Sequence, residues 1–109
     1  MDRRAEPYNA IRYSRWVIRS FKDKEAERVW QGKRSRRLPH NVQASARRKL
    51  RMLNNAQPTE DLRIPPANRL EVLKGNRRGQ HSIRINNQWR ICFVWRGGEA
   101  YDVEVVEHH

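Results

Sequence analysis

The segment QHSIRINNQWRICFVW, residues 80–95, alternates apolar and polar side chains on either side of Asn86-Asn87. That alternation restricts the fold more than any other feature of the chain. Side chains on a strand point in turn to opposite faces, so a slip of one residue would send every apolar group to the wrong side. A two-residue Asn-Asn loop would set Ile85 against Gln88 and Ile83 against Arg90. A loop one residue longer, or a bulge with an asparagine in the left-handed region, restores the match. Ile85 then faces Trp89, Ile83 faces Ile91 and His81 faces Phe93. The same register puts Arg84 across from Arg90 and Ser82 across from Cys92, on the face turned away from the apolar set. Like charges directly opposite are destabilising. Either the two arginines splay into solvent or they await an anion, most simply a phosphate.

The charge balance favours the second role. Among 109 residues, 24 are Lys or Arg and 12 are Asp or Glu, a net charge of +12. Arginine is the commoner base, and its planar fork suits bidentate phosphate contact, which makes nucleic acid the leading partner class. The plain alternative is a solvated surface with affinity for anionic lipid or acidic protein. No apolar run approaches a membrane-spanning length, and MDRRAEPYNAIRYSRWVIRS lacks the apolar centre of a secretory signal. A cytoplasmic protein is expected. Cys92 has no partner for an internal disulfide and is expected to be a buried, reduced thiol. No carboxylates cluster to hold magnesium, so neither a metal nor another cofactor is expected.

Residues 1–15 show no periodicity and are read as an extension outside a single domain of residues 16–109. Trp16 to Ser20 reads as a first strand. Ser20 and Asp23 fit a capping box ahead of a helix carrying Ala26, Val29 and Trp30, with Gly32 as its stop. Pro39 opens a second helix whose apolar stripe is Val42, Ala46, Leu50 and Leu53. Three prolines make residues 56–69 a loop with one turn near Thr59 to Leu62. From Arg69 the period becomes 2, and four strands follow: RLEVL, QHSIRI, QWRICFVW and AYDVEVVE. The order predicts an α+β fold, a small antiparallel sheet with an N-terminal strand and two helices on one face.

Two further groups of residues bear on chemistry. The turn LKGNRRGQ brings Lys74, Arg77 and Arg78 ahead of the hairpin, and the last strand leads into His108 and His109. Basic groups and imidazoles beside a phosphate can cleave RNA through its own 2′-hydroxyl, with one group taking the proton, cations stabilising the phosphorane and another group protonating the leaving oxygen. The arginines suit charge stabilisation because they stay protonated. The base and the acid stay unassigned among Lys74, His108 and His109.

VIRSFKDKEAERVWQGKRSRRLP, RIPPANRLEVLKGNRRGQHSIRINNQWRICFVW and AYDVEVVEHH together resemble the HigB group of the RelE superfamily, from about Val17 to His109. The resemblance implies a RelE-like α+β toxin domain that enters the ribosomal A site and cuts mRNA there. It implies as partners the 70S ribosome and a HigA-type helix-turn-helix antitoxin, with operator DNA reached only through the antitoxin complex. By position it assigns phosphate contact to Lys74 and Arg90, and it supports the same for Arg84. The family usually ends Asp-Tyr-His with catalytic last residues. Here the end is Glu107-His108-His109, so His109 takes the terminal position and His108 replaces the tyrosine, which changes the available pKa.

Ordinary roles account for other marked residues. Trp89, Phe93 and Trp95 are expected to pack under the helices with His81, and His40 to lie at the surface. The run Arg47, Arg48, Lys49 is either a solvated helix face or, together with Arg51, Arg77 and Arg78, a source of contacts to ribosomal RNA phosphates. Asp102 and Glu104 share the Arg84 face by parity and could fill its anion site. Two rival functions remain at this point: a non-catalytic RNA- or ribosome-binding protein, and a decayed toxin acting only as an antitoxin partner.

Overall fold

The computed structural model describes residues 16–107. The expected extension, residues 1–15, and His108 and His109 lie outside the described residues. Helix α1 (Lys24–Trp30) is capped by Asp23, whose carboxylate accepts the Glu25 N–H at 2.9 Å. Ser20 does not share in a capping box; its hydroxyl instead accepts the Asp102 N–H at 2.9 Å. Gly32, at φ +81°, ends α1 by letting its own N–H reach Val29 O and the Lys33 N–H reach Arg28 O, which satisfies two carbonyls left over at the helix end. Helix α2 (His40–Asn55) follows Pro39 and buries Val42, Ala46, Leu50 and Leu53 as its periodicity requires, together with Lys49.

Four strands, β1 (Glu71–Val72), β2 (Gln80–Arg84), β3 (Trp89–Arg96) and β4 (Glu99–Glu107), form one antiparallel sheet in that order. The β2–β3 register pairs His81 with Phe93, Ser82 with Cys92, Ile83 with Ile91 and Arg84 with Arg90, the pairing the apolar pattern demands. The loop is the longer of the two alternatives. Asn86 Oδ1 accepts the N–H groups of Gln88 and Trp89 at 2.8 and 2.9 Å, so a side chain closes the turn. No asparagine among the described residues takes a positive φ.

The N-terminal strand is shorter than expected. Ile18 and Phe21 make isolated parallel bridges to Ala100 and Val103 on β4. The reason is a bulge: Cys92 pairs with Glu104 and Val94 with Tyr101, leaving Asp102 and Val103 opposite Phe93. Asp102 adopts φ +53°, which bends β4 and interrupts the ladder beside it. Asn54 Oδ1 still anchors the segment by accepting the Val17 and Ile18 N–H groups.

One sheet face meets the helices. Ile83, Ile91, Phe93, Val103 and Val105 pack there with Val29, Ala46, Leu50 and Leu53, all fully buried. Each large side chain in this set contributes roughly 1.5–3 kcal/mol by leaving water. His81 stacks on Phe93 with ring centroids 5.8 Å apart, His40 is exposed and Cys92 is buried and free. No helix among the described residues is long and apolar enough to cross a membrane.

Candidate functional site

The face away from the helices is the one that carries the arginine pair. The two side chains are not equivalent. Arg84 is half-buried and its Nη2 meets Asn87 Oδ1. Arg90 is only 7% exposed, so it does not splay into solvent. A buried guanidinium must be paired, because an isolated charge out of water is costly. Arg90 Nη2 donates to Arg69 O at 3.2 Å and lies 3.3 Å from Glu71 Oε1. Its Nε is buried and has no partner.

A hollow of about 260 Å³ opens between these groups, lined by Arg69, Glu71, Arg84, Asn86, Asn87 and Arg90. Three arginines and one glutamate line the hollow, which also holds the orphan Arg90 Nε donor. A smaller hollow of about 160 Å³ adjoins it through Glu71 and Arg90, and is also lined by Arg77, Ser82 and Cys92. There Arg77 donates to Glu104 at 3.0 Å and to Gln80 at 3.1 Å. Glu104 raises the Arg77 pKa further, and burial raises that of the Cys92 thiol. Glu104 is therefore engaged by Arg77, and by Lys22 at 3.7 Å, and does not fill the Arg84 site. Asp102 is the exposed bulge residue, where counting by parity fails.

The other expected site residues are spread more widely. Lys74 is exposed and precedes the short 3-10 turn Gly75–Arg77, and it lines neither hollow. Arg78 ends that turn and is exposed. Arg48 and Arg51 are exposed on α2, in the helical layer on the far side of the sheet from Arg84 and Arg90. Arg47 lines a separate hollow of about 310 Å³ with Lys33, Arg34 and His40. His108 and His109 lie outside the described residues. The described chain stops at Glu107, opposite Trp89, just after Val106 has passed opposite Arg90.

Sequence reasoning missed two groups. Glu71 was only one polar residue in an alternating strand, and nothing in one dimension placed it beside Arg90. Lys49 was counted with a basic helix face, yet it stands seven residues after Val42 and three after Ala46, on the apolar stripe. It is 8% exposed, and burial lowers its pKa, with Arg48 adding to the effect. Its Nζ bonds Oδ1 of the fully buried Asn68.

Among the described residues, two helices on a four-stranded antiparallel sheet, with an arginine-lined hollow on the opposite face, define a small basic α+β protein. Its relatives narrow that class. The family profile described as RelE-like toxin of type II toxin-antitoxin system HigB matches residues 19–109. The chain is 44% identical over 89 residues to Toxin HigB-1 of Vibrio cholerae serotype O1, spanning 81% of this chain and 94% of that protein. It is 33% identical over 89 residues to an uncharacterized protein of Haemophilus influenzae, spanning 81% and 88%. The chain belongs to the HigB group of RelE-like toxins, the toxin components of type II toxin–antitoxin systems, a class that implies an antitoxin partner.

Proposed function

We propose that the protein is a ribosome-dependent endoribonuclease that cuts mRNA in the A site, needs no metal or other cofactor, and is neutralised by a HigA-type antitoxin in the cytoplasm. The observation that carries this reading is the surplus of guanidinium groups around Arg90. A scissile phosphate supplies an acceptor for the orphan Arg90 Nε and a counter-charge for the arginines around it, and charge-assisted hydrogen bonds of this kind are about twice as strong as neutral ones. Fixed cations at the hollow stabilise the extra negative charge of a phosphorane more than that of the substrate.

Glu71 is the carboxylate in reach of that phosphate. In the proposed reaction it takes the 2′-hydroxyl proton, the 2′ oxygen bonds to phosphorus, and the phosphorus–O5′ bond breaks. The departing O5′ takes a proton from Lys74, His108 or His109, and a 2′,3′-cyclic phosphate remains. Arg77, Arg78, Arg47, Arg48 and Arg51 are assigned to ribosomal RNA or mRNA backbone, and residues 1–15 to a non-catalytic extension. The test is mRNA cutting in a purified translation system, comparing the wild type with Arg90→Ala. Cuts that require ribosomes and vanish with Arg90 support the assignment. Ribosome binding without cuts would leave a phosphate grip with no nuclease.

A further inference from the structure

We infer that Lys49 and Asn68 are positioning residues that hold Arg90 through the backbone of Arg69. The inference rests on the function proposed above, because it concerns the same arginine. Asn68 is completely buried, and every polar atom of its side chain is used. Oδ1 accepts from Lys49 Nζ, and Nδ2 donates to Leu62 O at 3.1 Å and Ile64 O at 3.5 Å. Its backbone N–H reaches Pro65 O at 2.9 Å. Asn68 thus ties the loop 62–68 to α2 from the inside.

The next residue is the one that matters to the site. Arg69 has φ 47° and ψ 58°, a left-handed conformation that side-chain-bearing residues avoid. Such a residue persists only where its surroundings over-determine it, and it is found most often at functional sites. Its N–H is held by Pro66 O at 3.0 Å, and its carbonyl accepts Arg90 Nη2 at 3.2 Å. The chain of contacts runs from α2 through Asn68 and the Arg69 backbone to the guanidinium. A lysine buried only to close a loop would, on replacement by an apolar residue, cost stability by leaving Asn68 Oδ1 unpaired, with no loss of cutting by the folded protein. A lysine that sets the position of a phosphate-binding arginine would cost cutting as well.

The experiment is a double-mutant cycle of Lys49→Met with Arg90→Lys, which keeps a positive charge and hence a measurable residual rate, read as single-turnover mRNA cutting at saturating ribosomes, with melting temperatures measured alongside. Misplacing a catalytic group by about 1 Å can cost about a hundredfold. Lys49→Met should lower the cutting rate by about that factor without changing the half-saturating ribosome concentration. In the Arg90→Lys background it should cause no further loss of the residual cutting, because the two residues act as one unit. Equal losses in both backgrounds, or a loss that follows the melting temperature alone, would overturn the inference. Asn68→Asp keeps the acceptor for Lys49 and removes the donor to the Leu62 and Ile64 carbonyls, and it takes the same place in the cycle should Lys49→Met fail to fold. If the wild type cuts nothing, the proposed activity fails separately. Titration of the Arg90 Nε–H resonance with inorganic phosphate then decides the positioning role: a response weakened by Lys49→Met upholds it, and an unaltered response overturns it.

Discussion

Replacing Glu71 by glutamine should separate binding from cutting. The carboxylate lies 3.3 Å from Arg90, and its side chain is 51% exposed, so solvent screens the pair. Exposed ion pairs of this kind contribute about 0.2–1 kcal/mol. An entering phosphate must displace Glu71 from Arg90, and losing the carboxylate removes that competition. Phosphate affinity at low salt should therefore rise, by about fivefold at most on the same energy scale. The rise should shrink as salt is added, because the competition is screened. Cutting should move the other way. Loss of a general base typically costs about 10²–10⁴ in rate. The two assays are calorimetric titration with inorganic phosphate and single-turnover cleavage on the ribosome. Phosphate affinity that falls in Glu71→Gln would refute the claim that Glu71 occupies the anion site. Cutting that survives unchanged would remove Glu71 from proton transfer and return the base to Lys74, His108 or His109.

Four other outcomes are expected. Leu50→Ala, in the fully buried stripe of α2, should cost about 2–5 kcal/mol in urea unfolding. Gly97→Ala should cost about 1–2 kcal/mol by the same measurement, because Gly97 has φ +56° and an added Cβ meets nothing within 4 Å, leaving backbone strain alone. Burial holds the His81 pKa below its ordinary value of 6.5, so the unfolded chain binds the proton more readily. Stability should therefore be full above that value and decline as pH falls beneath it, a decline that His81→Phe should flatten in pH-dependent melting. Deletion of residues 1–15 should leave growth inhibition intact on induced expression, and loss of toxicity would show that the extension takes part.

The hairpin was legible because its evidence is redundant. Ile83, Ile85, Trp89, Ile91 and Phe93 must all reach one face, and only one pairing allows it, so Arg84 and Arg90 were brought together from the sequence. The helices were legible for the same reason, through Ala26, Val29 and the stripe from Val42 to Leu53. The bulge at Asp102 was not, since no residue there announces a positive φ and a single extra residue changes parity beyond it. It truncated the N-terminal strand and took Asp102 off the arginine face. Glu71 and Arg69 were hidden for a related reason. Their places depend on β1, a strand of two residues, and on a proline-rich loop whose path is set by Asn68 rather than by periodicity. Lys49 carried a signal in its spacing from Val42 and Ala46, but its charge outweighed it. Burial of that charge depends on Asn68, whose Oδ1 accepts from Lys49 Nζ.

The most direct test of the central claim is the position of mRNA cuts made by the purified protein with and without ribosomes, wild type against Arg90→Ala and against a chain lacking His109. The expected result is cutting that needs the ribosome, falls within the A-site codon, and is lost with Arg90. Loss with His109 would also assign the terminal histidine to the reaction. Equal cutting of naked RNA would contradict the ribosome requirement. Cuts that persist in Arg90→Ala would contradict the proposal that the hollow between β1, β2 and β3 is the catalytic site.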